Sequence, residues 1–81
     1  MSQDALERAL QQARARRKLP DPASRRRLRK RAGLSQSAVA RVVGVSAAAV
    51  NRWELGVRQP SGERLQSYLG VLERLAREGL M

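Results

Sequence analysis

Several residue types on which enzymes and metal sites depend are missing from this chain of 81 residues. It contains no cysteine and no histidine, which excludes disulfides and thiolate metal sites. The lack of histidine also removes the usual general base and the commonest metal ligand. The six glycines are scattered singly, so no glycine-rich loop for phosphate is present. We therefore expect a protein that is not an enzyme and that uses no metal and no other cofactor.

Long apolar runs and aromatic side chains are also scarce. No apolar run approaches the roughly 18 residues of a membrane span, and the N-terminus lacks the apolar core of a signal peptide. Phenylalanine is absent, and Trp53 and Tyr68 are the only aromatic residues. The core must therefore consist of Leu, Val and Ala around Trp53, and we expect Tyr68 to lie in it with its hydroxyl at the surface. The sequence predicts one small domain with no membrane partner.

The charge balance indicates what class of partner the chain binds. Seventeen Lys and Arg residues oppose seven Asp and Glu residues, which gives a net charge of +10. The segment 14–31 holds ten basic residues and one acidic residue, whereas residues 32–81 carry a net charge of only +2. A small domain this basic is typical of proteins that bind polyanions. The alternative is a basic face that only keeps the chain in solution.

The stretch 36–55, QSAVARVVGVSAAAVNRWEL, contains two short helical patterns with a tight break between them. Gly44 is suited to end the first helix, because glycine enters the left-handed region at little cost. Ser46 is a good N-cap for the second helix. Apolar residues recur at helical spacing on the sides where the two helices face each other: Val39, Ala40, Val43, Val50 and Trp53. We assign Trp53 to the core rather than to base stacking.

The outward side of the second helix has a different character. Its residues are small, polar or cationic, with one apolar residue at the end: Ala47, Ala48, Asn51, Arg52 and Leu55. Such a side suits a groove better than a hydrophobic core. Two short helices joined in this way form the helix-turn-helix pattern.

The segment from about Arg26 to Leu72 resembles the Cro/XRE-type helix-turn-helix family, the phage repressor class of DNA-binding domains. The runs that carry the resemblance are RLRKRAGLSQSAVA, VVGVSAAAV and NRWELGVRQPSGERL. The pattern W-E-x-G-x-R-x-P at Trp53–Pro60 is a specific part of it. The resemblance implies an all-α, lambda-repressor-like fold of about five helices. It also implies a transcriptional regulator in the cytoplasm of a bacterial or phage-infected cell, associated with the nucleoid.

Sequence-specific binding to double-stranded DNA is the function that this pattern predicts, with the recognition helix 47–54 in the major groove. Arg52 can donate two hydrogen bonds to guanine. Asn51 reads adenine or contacts the backbone, while Ala47 and Ala48 touch thymine methyl groups or simply favour the helix. The resemblance implies phosphate contacts for three residues: Gln36, Ser46 and Arg58. The dense positive charge adds three more phosphate ligands: Arg25, Arg26 and Arg27.

The resemblance also pairs Arg29 with Glu54, which ties the helix before the motif to the recognition helix. Two independent surface charges are the alternative, and these would contribute little to stability.

The flanking segments suggest further elements. We expect a basic N-terminal helix or arm at 1–19, with Ser2 as its cap and an apolar stripe of Leu6, Leu10 and Ala13. It either packs on the domain or becomes ordered on DNA. The helix-turn-helix domain then covers 20–81 and ends in a long helix at 61–78, with Ser61 as its cap. The stripe of that helix continues through three late positions: Leu75, Ala76 and Leu80.

Two partners besides DNA follow from these flanks. The long stripe of the last helix predicts a homodimer that binds a palindromic operator. The competing hypothesis is a protein-interaction module, such as an antitoxin or phage anti-regulator, that binds a partner protein as well as or instead of DNA.

Overall fold

The computed structural model describes residues 3–79, and the described chain is helical without strands. Its elements are α1 (Gln3–Lys18), α2 (Pro22–Arg31), α3 (Gln36–Val43), α4 (Ala47–Leu55) and α5 (Gly62–Glu78). This confirms the expected all-α fold of about five helices. The five include the N-terminal helix α1 and a long last helix, α5, which continues through Gly70. Two expected features, the cap at Ser2 and the end of the apolar stripe at Leu80, lie outside the described residues.

Local residue chemistry sets most helix boundaries. Asp21, Ser35 and Ser46 each accept a hydrogen bond from the backbone N–H three residues later, as N-caps do. Gly44 ends α3 and Gly56 ends α4, both with left-handed backbones at φ 87° and 76°.

The beginning of α5 differs from what the sequence predicts. Ser61 occupies the N-cap position, but its side chain forms no capping hydrogen bond. The next residue, Gly62, has φ of 59°. The chain therefore enters α5 through a left-handed residue, and the first turn is closed by the bond from the Leu65 N–H to the Ser61 carbonyl, not by the serine hydroxyl.

The main core lies where α3, α4 and α5 meet. Its buried members come from all three helices: Val39, Ala40, Val50, Trp53, Tyr68 and Leu72. The rings of Trp53 and Tyr68 are tilted by 47° with centroids 4.7 Å apart, a favourable aromatic arrangement. This core fixes α4 against α3 and α5, so only one side of α4 faces outward.

A second, smaller cluster attaches α1 to α5. Ala15 packs against Leu65 and Leu69, so α1 packs on the domain. The expected contact stripe of α1 is wrong: Leu6 and Leu10 are 50% and 42% exposed. At 100° per residue these two leucines project from the side of the helix roughly opposite to Ala15.

Tyr68 corrects another expectation, since its hydroxyl does not reach the surface. The residue is 1% exposed, and its hydroxyl has no hydrogen-bond partner among the described residues. Burial, supported by the negative charge of Glu54, raises the pKa of Tyr68 to about 12.

This environment predicts an unusual alkaline titration. Tyr68 is the only tyrosine, so its phenolate absorbance reports on one site. We expect ionisation near pH 12 in the folded chain and near 10.0 in the unfolded chain. Because the folded pKa is the higher one, the stability linked to Tyr68 is complete below pH 10.0 and is lost as the pH rises through about 12. Native titration near the unfolded value would show that the hydroxyl reaches water.

Candidate nucleic-acid interface

The candidate base-reading residues share the outward side of α4. Val50 and Trp53 hold the inner side of the helix in the core. Of the candidates, Ala48, Asn51 and Arg52 are exposed and Ala47 is half-buried. The structure therefore leaves one side of α4 free to enter a groove.

Gln36 links α3 to this outward side. Its Nε2 donates to Asn51 Oδ1 at 3.0 Å and to Glu54 Oε1 at 3.1 Å. Both side-chain donors of Gln36 are thereby used, while Asn51 keeps its own amide N–H groups free. Single-sequence reasoning missed this link, because no periodic signal connects positions 36 and 51.

Arg29 and Glu54 form the ion pair that the resemblance implies. Arg29 Nε lies 2.5 Å from Glu54 Oε2, and Nη2 donates to Oε1 at 2.9 Å. Both residues are buried, and Arg29 Nη1 also donates to the Leu34 carbonyl at 2.9 Å. Burial alone would raise the pKa of Glu54, but hydrogen bonds from Arg29 and Gln36 outweigh it and hold the pKa below its ordinary value.

Arg25 is a correction, because it cannot serve as a phosphate ligand where the structure places it. The residue is only 5% exposed. Its Nε donates to the Pro20 carbonyl at 2.7 Å, and its Nη1 donates to the Trp53 carbonyl at 2.9 Å. A buried guanidinium needs acceptors on every side, and here two backbone carbonyls supply them. Arg25 therefore holds α2 against α4.

The next two arginines remain exposed but lie on different sides of α2. The positive charge of Arg26 contributes to lowering the pKa of Glu54, which places Arg26 on the flank near α4. Arg27 donates to Ser24 Oγ at 2.7 Å. The three consecutive arginines thus have three different surroundings. The sequence could not predict these differences, because the three side chains are identical.

A cleft of about 350 Å³ lies between α4 and the start of α5. Arg58, which follows Gly56 in the loop after α4, lines it together with Arg52 and Arg64. Sequence reasoning did not assign Arg64. Ser46 is exposed, and its hydroxyl accepts from the Ala49 N–H as the cap of α4. The outward side of α4 is thus bordered by cationic and hydroxyl groups that suit phosphate.

Within residues 3–79 no helix combines the length and apolar character needed to cross a membrane.

One of three comparisons with known proteins found a match, and it agrees with this geometry. Comparisons with curated proteins and with solved structures gave no significant match. A helix-turn-helix family model matches residues 26–77, which is more than half of the chain and excludes α1. The chain therefore belongs to the Cro/C1-type helix-turn-helix family, the XRE family of DNA-binding regulators.

Proposed function

We propose that this protein is a sequence-specific transcriptional regulator that binds double-stranded DNA, as a homodimer on a palindromic operator, in the cytoplasm. The observation that supports it best is the outward side of α4. It exposes Asn51 and Arg52 on a helix whose other side is fixed in the core. A rigid helix with exposed donors on one side suits the major groove.

The hydrogen bonds beneath α4 suggest how the reading residues are held. Gln36 uses its amide donors on Asn51 and Glu54, so it offers phosphate its backbone N–H at the start of α3. Asn51, fixed through its oxygen, presents N–H groups to an acceptor on a base edge. Arg52 can donate to guanine O6 and N7, the commonest specific contact.

Selection of bound sequences from a random duplex pool at stated salt tests this function. A two-fold palindrome with half-sites about 34–36 Å apart would support a dimer on the operator. If roughly six phosphates are neutralised, log K should fall against log salt with a slope of about −5. Binding that does not depend on salt would contradict the proposal.

The dimer interface proposed on α5 now rests on fewer residues. Leu72 is 2% exposed and belongs to the core, so a charge there would unfold the domain. Leu75 and Ala76 are only half-buried and remain the candidates. Sedimentation of Leu75→Lys on and off operator DNA tests the interface; a wild type that is monomeric on DNA would exclude it.

Arg52 and Arg58 should differ in what their removal does. Arg52→Ala should cost roughly 1–3 kcal/mol on the preferred site and relax specificity at one base pair. Arg58→Ala should weaken preferred and random duplexes alike and make the salt slope shallower by about one. Titrations on the selected site, its single-base variants and random duplex measure both effects.

The cleft supplies the control for this comparison. Arg64→Ala removes the third arginine of the same cleft and leaves every residue of α4 unaltered. This variant should behave like Arg58→Ala. If Arg52→Ala also weakens all duplexes equally, Arg52 is a phosphate contact, and specificity must come from Asn51, the alanines or DNA shape.

A protein-interaction module is the second candidate function, and the exposed side of α1 favours it. Leu6 and Leu10 lie four residues apart on the side away from α5, a spacing that suits a partner helix or groove. An antitoxin or anti-regulator would purify with a stoichiometric partner. Leu6→Gln with Leu10→Gln should release that partner and leave DNA binding unchanged.

A further inference from the structure

Most of the exposed positive charge lies away from the outward side of α4. Within residues 3–79, eight exposed basic residues of α1 and α2 have no ion-pair partner: Arg8, Arg16, Arg17, Lys18, Arg26, Arg27, Lys30 and Arg31. The cleft beside α4 is lined by only three arginines. Contacts of α4 with one duplex therefore leave much of this charge unexplained.

The buried arginines of α2 show which way the unpaired ones point. Arg25 and Arg29 face α4 and bond to its backbone or to Glu54. Arg27 and Arg31 each follow one of them by two residues, which is about 200° around the helix, and Lys30 lies beside them. These three cations thus lie on the far side of α2 from α4, about a helix diameter of 10 Å away.

The outer side of α2 forms a surface of its own. A shallow pocket there is lined by residues of α2 alone, among them Arg27, Lys30 and Arg31. We name these three cations the outer basic surface.

Nearby carboxylates offset this charge only in part. Asp21 accepts from the Ser24 backbone N–H and hydroxyl, and these bonds, with the charge of Arg27, lower its pKa. Glu78 lies near Arg31 but pairs with Arg74 at 2.8 Å. The outer basic surface keeps a clear positive excess.

We propose that the outer basic surface binds the phosphate backbone of a second DNA duplex, so that one chain holds two DNA segments. The charged groups of arginine and lysine carry hydrogen-bond donors and no acceptors, which suits phosphate oxygens and does not distinguish bases. This goes beyond operator binding and rests on the proposed function only in assigning the first duplex to α4. Binding at the second surface should be independent of sequence and steeply dependent on salt.

A bridging assay tests the proposal with the full chain. A short duplex carrying the selected site is fixed to beads, protein is added, and recapture of a second, fluorescent random duplex is measured. The variant Arg27→Gln/Lys30→Gln/Arg31→Gln should reduce recapture by about tenfold or more, since three phosphate contacts are lost. Its affinity for the single short duplex should fall no further than that of the matched control variant described below, because these residues point away from α4.

Matched variants separate this surface from general charge effects. Arg8→Gln/Arg41→Gln/Arg77→Gln removes the same number of exposed charges without an ion-pair partner elsewhere in the described chain and should leave recapture unchanged. Arg27→Lys/Arg31→Lys keeps the charge and should retain bridging, which guards against a folding defect. A dimer that bridges through two copies of α4 would behave differently, because the α2 variant would then recapture as much duplex as the wild type.

Several results would overturn the proposal. These are no recapture by the wild type, equal loss in the matched control, or equal loss of single-duplex affinity in the α2 variant. If selection finds no preferred site, two random duplexes replace the pair in the assay. The outer basic surface is then tested even though the operator proposal has failed.

Discussion

Replacing Glu54 with glutamine should lower the free energy of unfolding by about 3–5 kcal/mol, because it removes one partner of a buried ion pair. Arg29 would keep its charge inside the protein, where it now forms two hydrogen bonds to the carboxylate. Gln36 would also lose its charged acceptor. Denaturant unfolding of Glu54→Gln beside Glu73→Gln, which alters an exposed carboxylate of α5, measures the difference.

A double-mutant cycle shows whether the loss belongs to the pair. Adding Arg29→Met to Glu54→Gln removes the stranded charge, so the double variant should be more stable than the sum of the two single losses predicts. Purely additive losses would mean that the two groups act independently.

The same pair predicts an acid response. The folded pKa of Glu54 lies below its ordinary value of 4.5. Its contribution is therefore complete above that pH and is lost as the pH falls through the lower folded pKa. Glu54→Gln should lose this part of the acid sensitivity.

Replacing Arg25 with methionine should cost about 3 kcal/mol of stability, the second largest effect that we expect. The carbonyls of Pro20 and Trp53 would lose charged donors, and hydrogen bonds of this kind contribute about 1.5–3 kcal/mol each. The methionine keeps much of the apolar stem, so the loss reports mainly on the guanidinium. Thermal or denaturant unfolding measures it.

The adjacent residue provides the matched control. Arg26 is exposed, so Arg26→Met should change stability by no more than about 0.5 kcal/mol but should weaken binding to every duplex. If Arg25→Met left stability unchanged and weakened DNA binding as Arg26→Met does, Arg25 would be a phosphate ligand after all.

Local chemistry explains why much of the fold could be predicted from sequence. Caps such as Ser35 and Ser46, and glycines such as Gly44, act within one helical turn, so their effect is visible in a short stretch. The spacing of Val50 and Trp53 predicted which side of α4 faces the core.

The errors arose where an outcome depends on contacts between distant parts of the chain. Whether α1 packs through Ala15 or through its leucines depends on how it lies on α5. Arg25 is buried because two carbonyls, one of them 28 residues away, meet it there. The buried hydroxyl of Tyr68 likewise depends on three helices closing around it.

The hydrogen bond between Gln36 and Asn51 has a consequence for how DNA preference diverges among related regulators. Asn51 lies on the outward side of α4, and its side-chain oxygen accepts from a residue of another helix. If Asn51 reads a base as we propose, a substitution at position 36 can change which base edge it favours while every residue of α4 stays the same. Two such proteins with identical recognition helices would bind different operators, and comparing recognition helices alone would misjudge their targets.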